Sequence, residues 1–355
     1  MDQLIKKLDT QTKLLAKTAP TLQVSINIPS LKLDYHHSTS VIDQKFHSAS
    51  VGKLFTSTLI FMLIEQKVIS LDSKIKDLIT DGMLDKLFVY RKVDYKDEVT
   101  IRHLLGHTSG INDYFEGPTF DKTNFINEII NCPDKLYTPQ DLVEFTRVHQ
   151  KAINKPGAKF FYSDTGYVLL GLIIERLTKL SFSEALNKYI INPLKLENTG
   201  LCFYHKDFNA NELAPLLVNN KDISKAKSLS CDYSGGGLFT TTQDLKKFLD
   251  AFMGHKLLKE TSLNQMADFQ YPFHGGMFYG LGLMQVKFER FFFLLKNMPR
   301  LQGHLGVTGV HAWYNKDTKD TYVINVGNNK IMVRSFQYLI NIVMIIEKQK
   351  KQLIK

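Results

Sequence analysis

Strand-forming segments lie at both ends of this chain, and helix-forming segments fill the stretch between them. Residues 22–28 (Leu-Gln-Val-Ser-Ile-Asn-Ile) alternate as a half-buried strand does. Near the other end, residues 310–315 (Val-His-Ala-Trp-Tyr-Asn) and 321–326 (Thr-Tyr-Val-Ile-Asn-Val) read as a hairpin around Lys316-Asp317, with a final helix from about Ser335. Residues 167–180 carry apolar side chains at helical spacing; Ser183 is placed to cap the next helix, which is expected to end before Asn192-Pro193. Strands drawn from both termini have to pair with each other around whatever the middle folds into. A single sheet with a helical insertion is the economical architecture.

Length and composition agree with this. At 355 residues the chain is long enough for about two domains and a core that needs no covalent staples. Three cysteines (Cys132, Cys202, Cys231) at wide spacings exclude a disulfide framework and a CxxC metal pair, and fit a reducing compartment. Residues 1–9 form an amphipathic helix pattern without the apolar stretch of a secretory signal, and no run of about 18 apolar residues occurs. A cytoplasmic protein without an integral membrane segment is therefore expected. The net charge of +10 permits anionic partners but governs solubility more than identity. The lysine-rich tail, residues 348–351, reads as the solvated, frayed end of a buried terminal helix rather than as a membrane anchor.

The most chemically suggestive segment is residues 46–56, which run into Leu59-Ile60-Phe61-Met62-Leu63-Ile64. Apolar residues all round imply a helix inside the core. Ser50 and Lys53, three positions apart, are neighbours on one face. Ser50 falls in the first turn, where free N–H groups favour developing negative charge. A serine hydroxyl needs a base, and a lysine serves once burial or adjacent cations favour its neutral form. The spacing alone is weak, since Ser73/Lys76 and Ser224/Lys227 share it; solvated helix faces account for those two.

Two further segments strengthen the reading. Residues 156–167 run from a Pro-Gly turn into the apolar helix and carry Tyr162, a phenolate candidate if cations lower its pKa. Gly303-His304-Leu305-Gly306-Val307 precedes the apolar strand with Trp313, and a His-x-Gly at a strand edge offers a polar side chain and an unobstructed N–H. His274-Gly275-Gly276 shares that pattern but reads as a turn.

Together these segments resemble the serine β-lactamase and penicillin-binding-protein superfamily, most closely its class C-like branch of D-aminopeptidases, DD-peptidase-like proteins and family VIII esterases. The family's Ser-x-x-Lys motif falls on Ser50-Val51-Gly52-Lys53, its Tyr-x-Asn on Tyr162-Ser163-Asp164, and its Lys-Thr-Gly or His-x-Gly on His304-Leu305-Gly306. Residues 99–111, 192–196, 234–244 and 279–282 also look like family segments, in the expected order. The resemblance implies an α/β (α+β) fold: an antiparallel sheet domain from residues 1–85 and 215–355, flanked by helices, with an all-helical domain from residues 86–214. Ser50 would be the acylated nucleophile, and Lys53 and Tyr162 would share proton transfer. The backbone N–H groups of Ser50 and Val307 would form the oxyanion hole, while His304, Gly306 and Asp164 would contact the substrate. The expected partner is a small ester, amide or peptide, with no cofactor, metal or nucleic acid; the motifs carry no information on oligomeric state.

One position departs from the pattern. Asp164 stands where asparagine is usual, and an ionised aspartate only accepts hydrogen bonds. It would repel a substrate carboxylate, or pair with Lys53 and keep it charged. This motivates the alternative of a catalytically weak binding or sensory module.

The remaining patterns point elsewhere. His103 and His107 are one turn apart without the glutamate of a zincin, and read as structural histidines near the cleft. No Gly-x-Ser-x-Gly elbow or phosphate-binding loop occurs, and the glycine run at 235–237 reads as a tightly packed or flexible turn. Residues 288–295, rich in phenylalanine, read as a core strand rather than a nucleic-acid stacking platform.

Overall fold

The strands from the two ends of the chain meet in one antiparallel sheet. The computed structural model describes residues 1–80 and 82–354. The sheet strands are β1 (Gln23–Ile28), β2 (Leu33–Ser38), β3 (Tyr271–His274), β4 (Met277–Tyr279), β5 (Met284–Val286), β6 (Leu301–Gly306), β7 (Val310–Tyr314) and β8 (Thr321–Asn325). Their spatial order is β3-β4-β5-β6-β7-β8-β1-β2. The closing pair is β1 with β8, which sets Gln23 opposite Asn325 and Val24 opposite Ile324. The helices used below are α1 (Asp2–Ala16), α2 (Lys53–Glu65), α3 (Ile101–Leu105), α4 (Asp164–Thr178), α5 (Thr242–Met253) and α6 (Met332–Ile354).

Alternation along the strands divides the interior in two. On β7 and β8, Trp313, Tyr322 and Ile324 face α1 and α6, where Leu4, Leu8, Leu339, Ile342 and Ile346 complete one core. Ala312 and Val323 face the opposite way, onto a larger core that includes α2, α4 and α5. The helix α2 is buried along nearly its whole length, as its all-round apolarity predicts.

Several local expectations are corrected. Ser181, not Ser183, caps the helix of residues 182–186, because Ser181 and Glu184 form a reciprocal capping box. That helical run then continues through a π turn to Leu194, with Pro193 among the first residues of the short α-helical piece Asn192–Leu194, where the missing N–H is tolerated. Ser73 and Ser224 lie in turns, not on helix faces, and Ser224 is buried. The C-terminal tail stays helical, with Lys350 bonded to Asp320 and Glu347. The largest difference is at residues 288–295, which form two 3₁₀ turns with exposed phenylalanines instead of a core strand.

Candidate active site

The site lies where the turn before α2 packs against β6 and the start of α4. Ser50 occupies a 3₁₀ turn, Ala49–Gly52, and Lys53 is the first residue of α2 itself. The turn is pinned on both sides. The Ser48 amide donates to Leu238 O (2.8 Å), the Ser48 hydroxyl to Gly236 O (2.9 Å), and the Ala49 amide to His47 Nδ1 (3.2 Å). Ala49 has φ +46°, a left-handed conformation that a Cβ disfavours and that the surrounding bonds have to hold. Gly236 is required here, since a Cβ on it would stand 2.4 Å from Ala49 O; the glycine run is a close-packed backbone contact.

Lys53 is fully buried, and its ammonium has three acceptors: Ser50 Oγ at 3.0 Å, Gly235 O at 2.5 Å and the Asp164 carboxylate. Three N–H donors meet three acceptors, so the protonated form is fully satisfied. The same geometry suits the neutral amine. Gly235 O and Asp164 can only accept from it, so the lone pair is left facing Ser50.

Tyr162 comes from the segment entering α4, capped by Ser163. Lys53 Nζ lies 5.0 Å from the Tyr162 ring centre, and His107 stacks on that ring at 4.2 Å while accepting the Ser163 amide at 3.0 Å. The Tyr162 hydroxyl is buried without a well-formed hydrogen bond, although it lies close enough to Ser50 for that hydroxyl to favour its ionised form. Burial, and then the charge of Asp164, outweigh this and hold the phenol well above its usual value of 10. The condition for a phenolate, cations that lower its pKa, is therefore not met: burial and Asp164 act in the opposite direction.

Gly306 and Val307 line the cavity beside Ser50. A Cβ on Gly306 would sit 2.8 Å from Ala49 Cβ and 3.4 Å from Ser50 N, so only glycine lets β6 come this close. Among the described residues, neither the Ser50 nor the Val307 amide has a backbone acceptor. His304 is placed differently from the cleft-lining expectation. It is 0 % exposed, accepts the Leu305 amide at Nδ1 (3.0 Å) and faces the Tyr279 hydroxyl at Nε2 (3.1 Å). Burial, with the charge of Lys53, pushes it down to about 3, so it is a neutral prop under the site.

The cavity in front of Ser50 has a volume of about 420 Å³. Its lining contains three acids that motif reading did not single out, Asp113, Glu116 and Asp232, besides Asp164. Asp113 accepts amides from Phe115, Glu116 and Asp164. Burial and then Asp164 still push it up to about 7. Asp232 reaches about 7 through burial and then Asp164, with Lys53 opposing. Its nearest basic neighbour, His47 at 3.6 Å, is pushed down to about 4 by burial and is neutral. Glu116 is raised by burial and Asp164. Lys53 is engaged elsewhere, so Glu116 and Asp232 face the cavity with no cationic partner among the described residues. The cavity therefore presents several carboxyls that are only partly ionised near neutral pH, with no free cation beside them among the described residues.

A serine turn beside a buried lysine, packed against the antiparallel sheet, is the arrangement to be compared with known proteins. The model of the Beta-lactamase family matches residues 36–345, and the chain belongs to that family. It is 29 % identical over 255 residues to Beta-lactamase-like protein 4 of Dictyostelium discoideum, covering 66 % of this chain and 42 % of that protein. The chain spans about two fifths of the length of the curated relatives it matches. Among solved structures, a D-stereospecific amidohydrolase from Streptomyces sp. superposes with a TM-score of 0.75 at 25 % identity, covering 91 % of this chain and 94 % of that one. The D-amino acid amidase of Ochrobactrum anthropi SV3, complexed with D-phenylalanine, gives 0.79 at 20 % identity, covering 98 % and 99 %. Among the described residues, no helix is long and apolar enough to cross a membrane.

Proposed function

We propose that this protein is a serine hydrolase that opens small ester or amide bonds through an acyl-enzyme on Ser50. The observation that carries the proposal is the 3.0 Å contact of Lys53 Nζ with Ser50 Oγ at the wall of the cavity. In the working state Lys53 is the neutral amine. Its two N–H groups are held by Gly235 O and Asp164, and its lone pair takes the Ser50 proton as Oγ attacks the substrate carbonyl. The oxyanion forms against the Ser50 and Val307 amides, where one donor is worth ~2.7–4 kcal/mol of transition-state stabilisation. The proton held by Lys53 passes through the Tyr162 hydroxyl to the leaving group, so Tyr162 ends as the phenol it began as. In deacylation the relay runs backward: water gives its proton through Tyr162 to Lys53 as its oxygen attacks the acyl carbon, and Lys53 returns the proton to Ser50 Oγ as the acyl–oxygen bond breaks.

The acidic lining supports a substrate that is neutral or carries an ammonium group, and disfavours one that carries a carboxylate near the scissile bond. This fits an ester or an amino-acid amide better than a penicillin-type ligand. Steady hydrolysis of nitrophenyl butyrate or a D-alanyl nitroanilide, lost in Ser50→Ala and cut severely in Lys53→Met, is the expected result. Turnover retained by Ser50→Ala rejects the proposal.

The Lys53–Asp164 ion pair favours a second reading, in which a locked lysine makes acyl transfer slow and the chain serves as a binding or sensory module. An acyl adduct that persists without turnover is its signature, and sustained multiple turnover removes it.

A further inference from the structure

The segment expected as a core strand instead projects into solvent. Residues 288–295 fold as two 3₁₀ turns, with Phe292 52 %, Phe293 70 % and Leu294 63 % exposed. The projection is built on a firm base. Phe291 packs on Phe336 of α6 with ring centres 5.0 Å apart, and its ring leaves no room for a Cβ on Gly275 or Gly276 in the β3–β4 turn. Val333, one turn before Phe336 on α6, extends the exposed apolar surface. Cations border it: Lys287, Arg290, Lys296 and Arg300, against a single acid, Glu289, which Arg300 meets at 3.5 Å.

We propose that this loop docks the protein on an anionic lipid surface, with Phe292, Phe293 and Leu294 entering the headgroup–acyl boundary and Arg290, Lys296 and Arg300 meeting lipid phosphates and carboxylates. Aromatic side chains tipped by aliphatic ones partition to that boundary, and flanking cations add attraction to acidic headgroups. Charge selects this occupant over the others. A second copy would bring the same surplus of cations, on a chain of net charge +10, against itself. Single-stranded nucleic acid needs flat faces in a basic groove. Here Phe292 and Phe293 meet edge to face, at 62° and 5.3 Å, and the tip is completed by leucine, on which bases do not stack. The inference does not depend on the catalytic proposal, since none of these residues lines the cavity.

The test is co-sedimentation of the full chain with vesicles of phosphatidylserine mixed into phosphatidylcholine, against phosphatidylcholine alone. Binding to the mixed vesicles is expected, weakened at least about tenfold in the Phe293→Ser/Leu294→Ser variant, which removes two buried apolar groups from the lipid. Arg290→Gln/Lys296→Gln should abolish the preference for the anionic lipid. A Phe293→Trp variant should shift its emission to the blue with mixed vesicles, over the constant background of buried Trp313. Absence of vesicle binding, or binding that ignores the loop substitutions, overturns the proposal. So does a concentration-dependent dimer abolished by Phe293→Ser, or tighter loop-dependent binding to an oligonucleotide than to vesicles.

Discussion

Replacing Asp232 by asparagine should stabilise this protein, and by an amount that depends on pH. The folded chain holds the Asp232 carboxyl at about 7, against an ordinary value of 3.8, chiefly because burial disfavours the anion and Asp164 repels it. A raised folded-state value means that the folded state binds the proton more tightly than the unfolded one. The favourable linkage is complete below about pH 4 and is lost as pH climbs to about 7, above which both states are ionised. At about 1.36 kcal/mol per pKa unit, the rise makes the buried anion cost ~4 kcal/mol. Its side chain is 20 % exposed, so water screens part of this, and ~2–4 kcal/mol is the expected range. An asparagine carries no charge and avoids that cost. Urea unfolding across about pH 4 to 8 should show Asp232→Asn gaining on the wild type through the window and levelling off above pH ~7. A gain that is constant with pH, or a loss at pH ~8, would refute the view of Asp232 as an unpaired buried acid.

Asp164→Asn keeps the shape and removes the charge beside Lys53. A carboxylate in contact with the ammonium favours the protonated lysine, which cannot act as a base, so ester kcat/KM at neutral pH should rise by ~10-fold or more in the variant. An unchanged kcat/KM in a folded variant contradicts the role given to the ion pair. Gly306→Ala would press a methyl group against Ala49 and drive β6 from the Ser50 amide; kcat for an activated ester should fall by ~10²–10³, with a smaller effect on KM, and wild-type kcat would show that the Val307 amide is not used.

What is legible in the sequence and what is hidden follow from range. Ser50 and Lys53 are joined by local helical geometry, so three-residue spacing before an all-apolar helix is enough to pair them. The strand alternation at residues 22–28 and the hairpin at 310–326 are legible for the same reason. Asp113, Glu116 and Asp232 have no period, two of them in irregular segments and Asp232 at the end of a 3₁₀ helix; only tertiary packing brings them to one cavity, although Asp113 and Asp232 adjoin segments that look family-like. The state of Tyr162 is hidden because burial, which no local pattern shows, dominates it, with the charge of Asp164 next. Residues 288–295 mislead because aromatic content signals a strand only where a neighbouring strand exists to pair with it, and here β5 already pairs β6 across the loop. Ser181 is a cap that the sequence does show, since its Glu184 partner stands three residues on, the capping-box spacing.

The acyl-enzyme on Ser50 is tested most directly by finding which atom a serine-reactive aryl phosphonate modifies in the intact chain. The expected outcome is one phosphonyl group per molecule, mapped to the peptide carrying residue 50, with its oxygen turned toward the amides of residues 50 and 307 in the crystal. A label on any other side chain, or an unmodified protein under conditions that saturate known serine hydrolases, would contradict it.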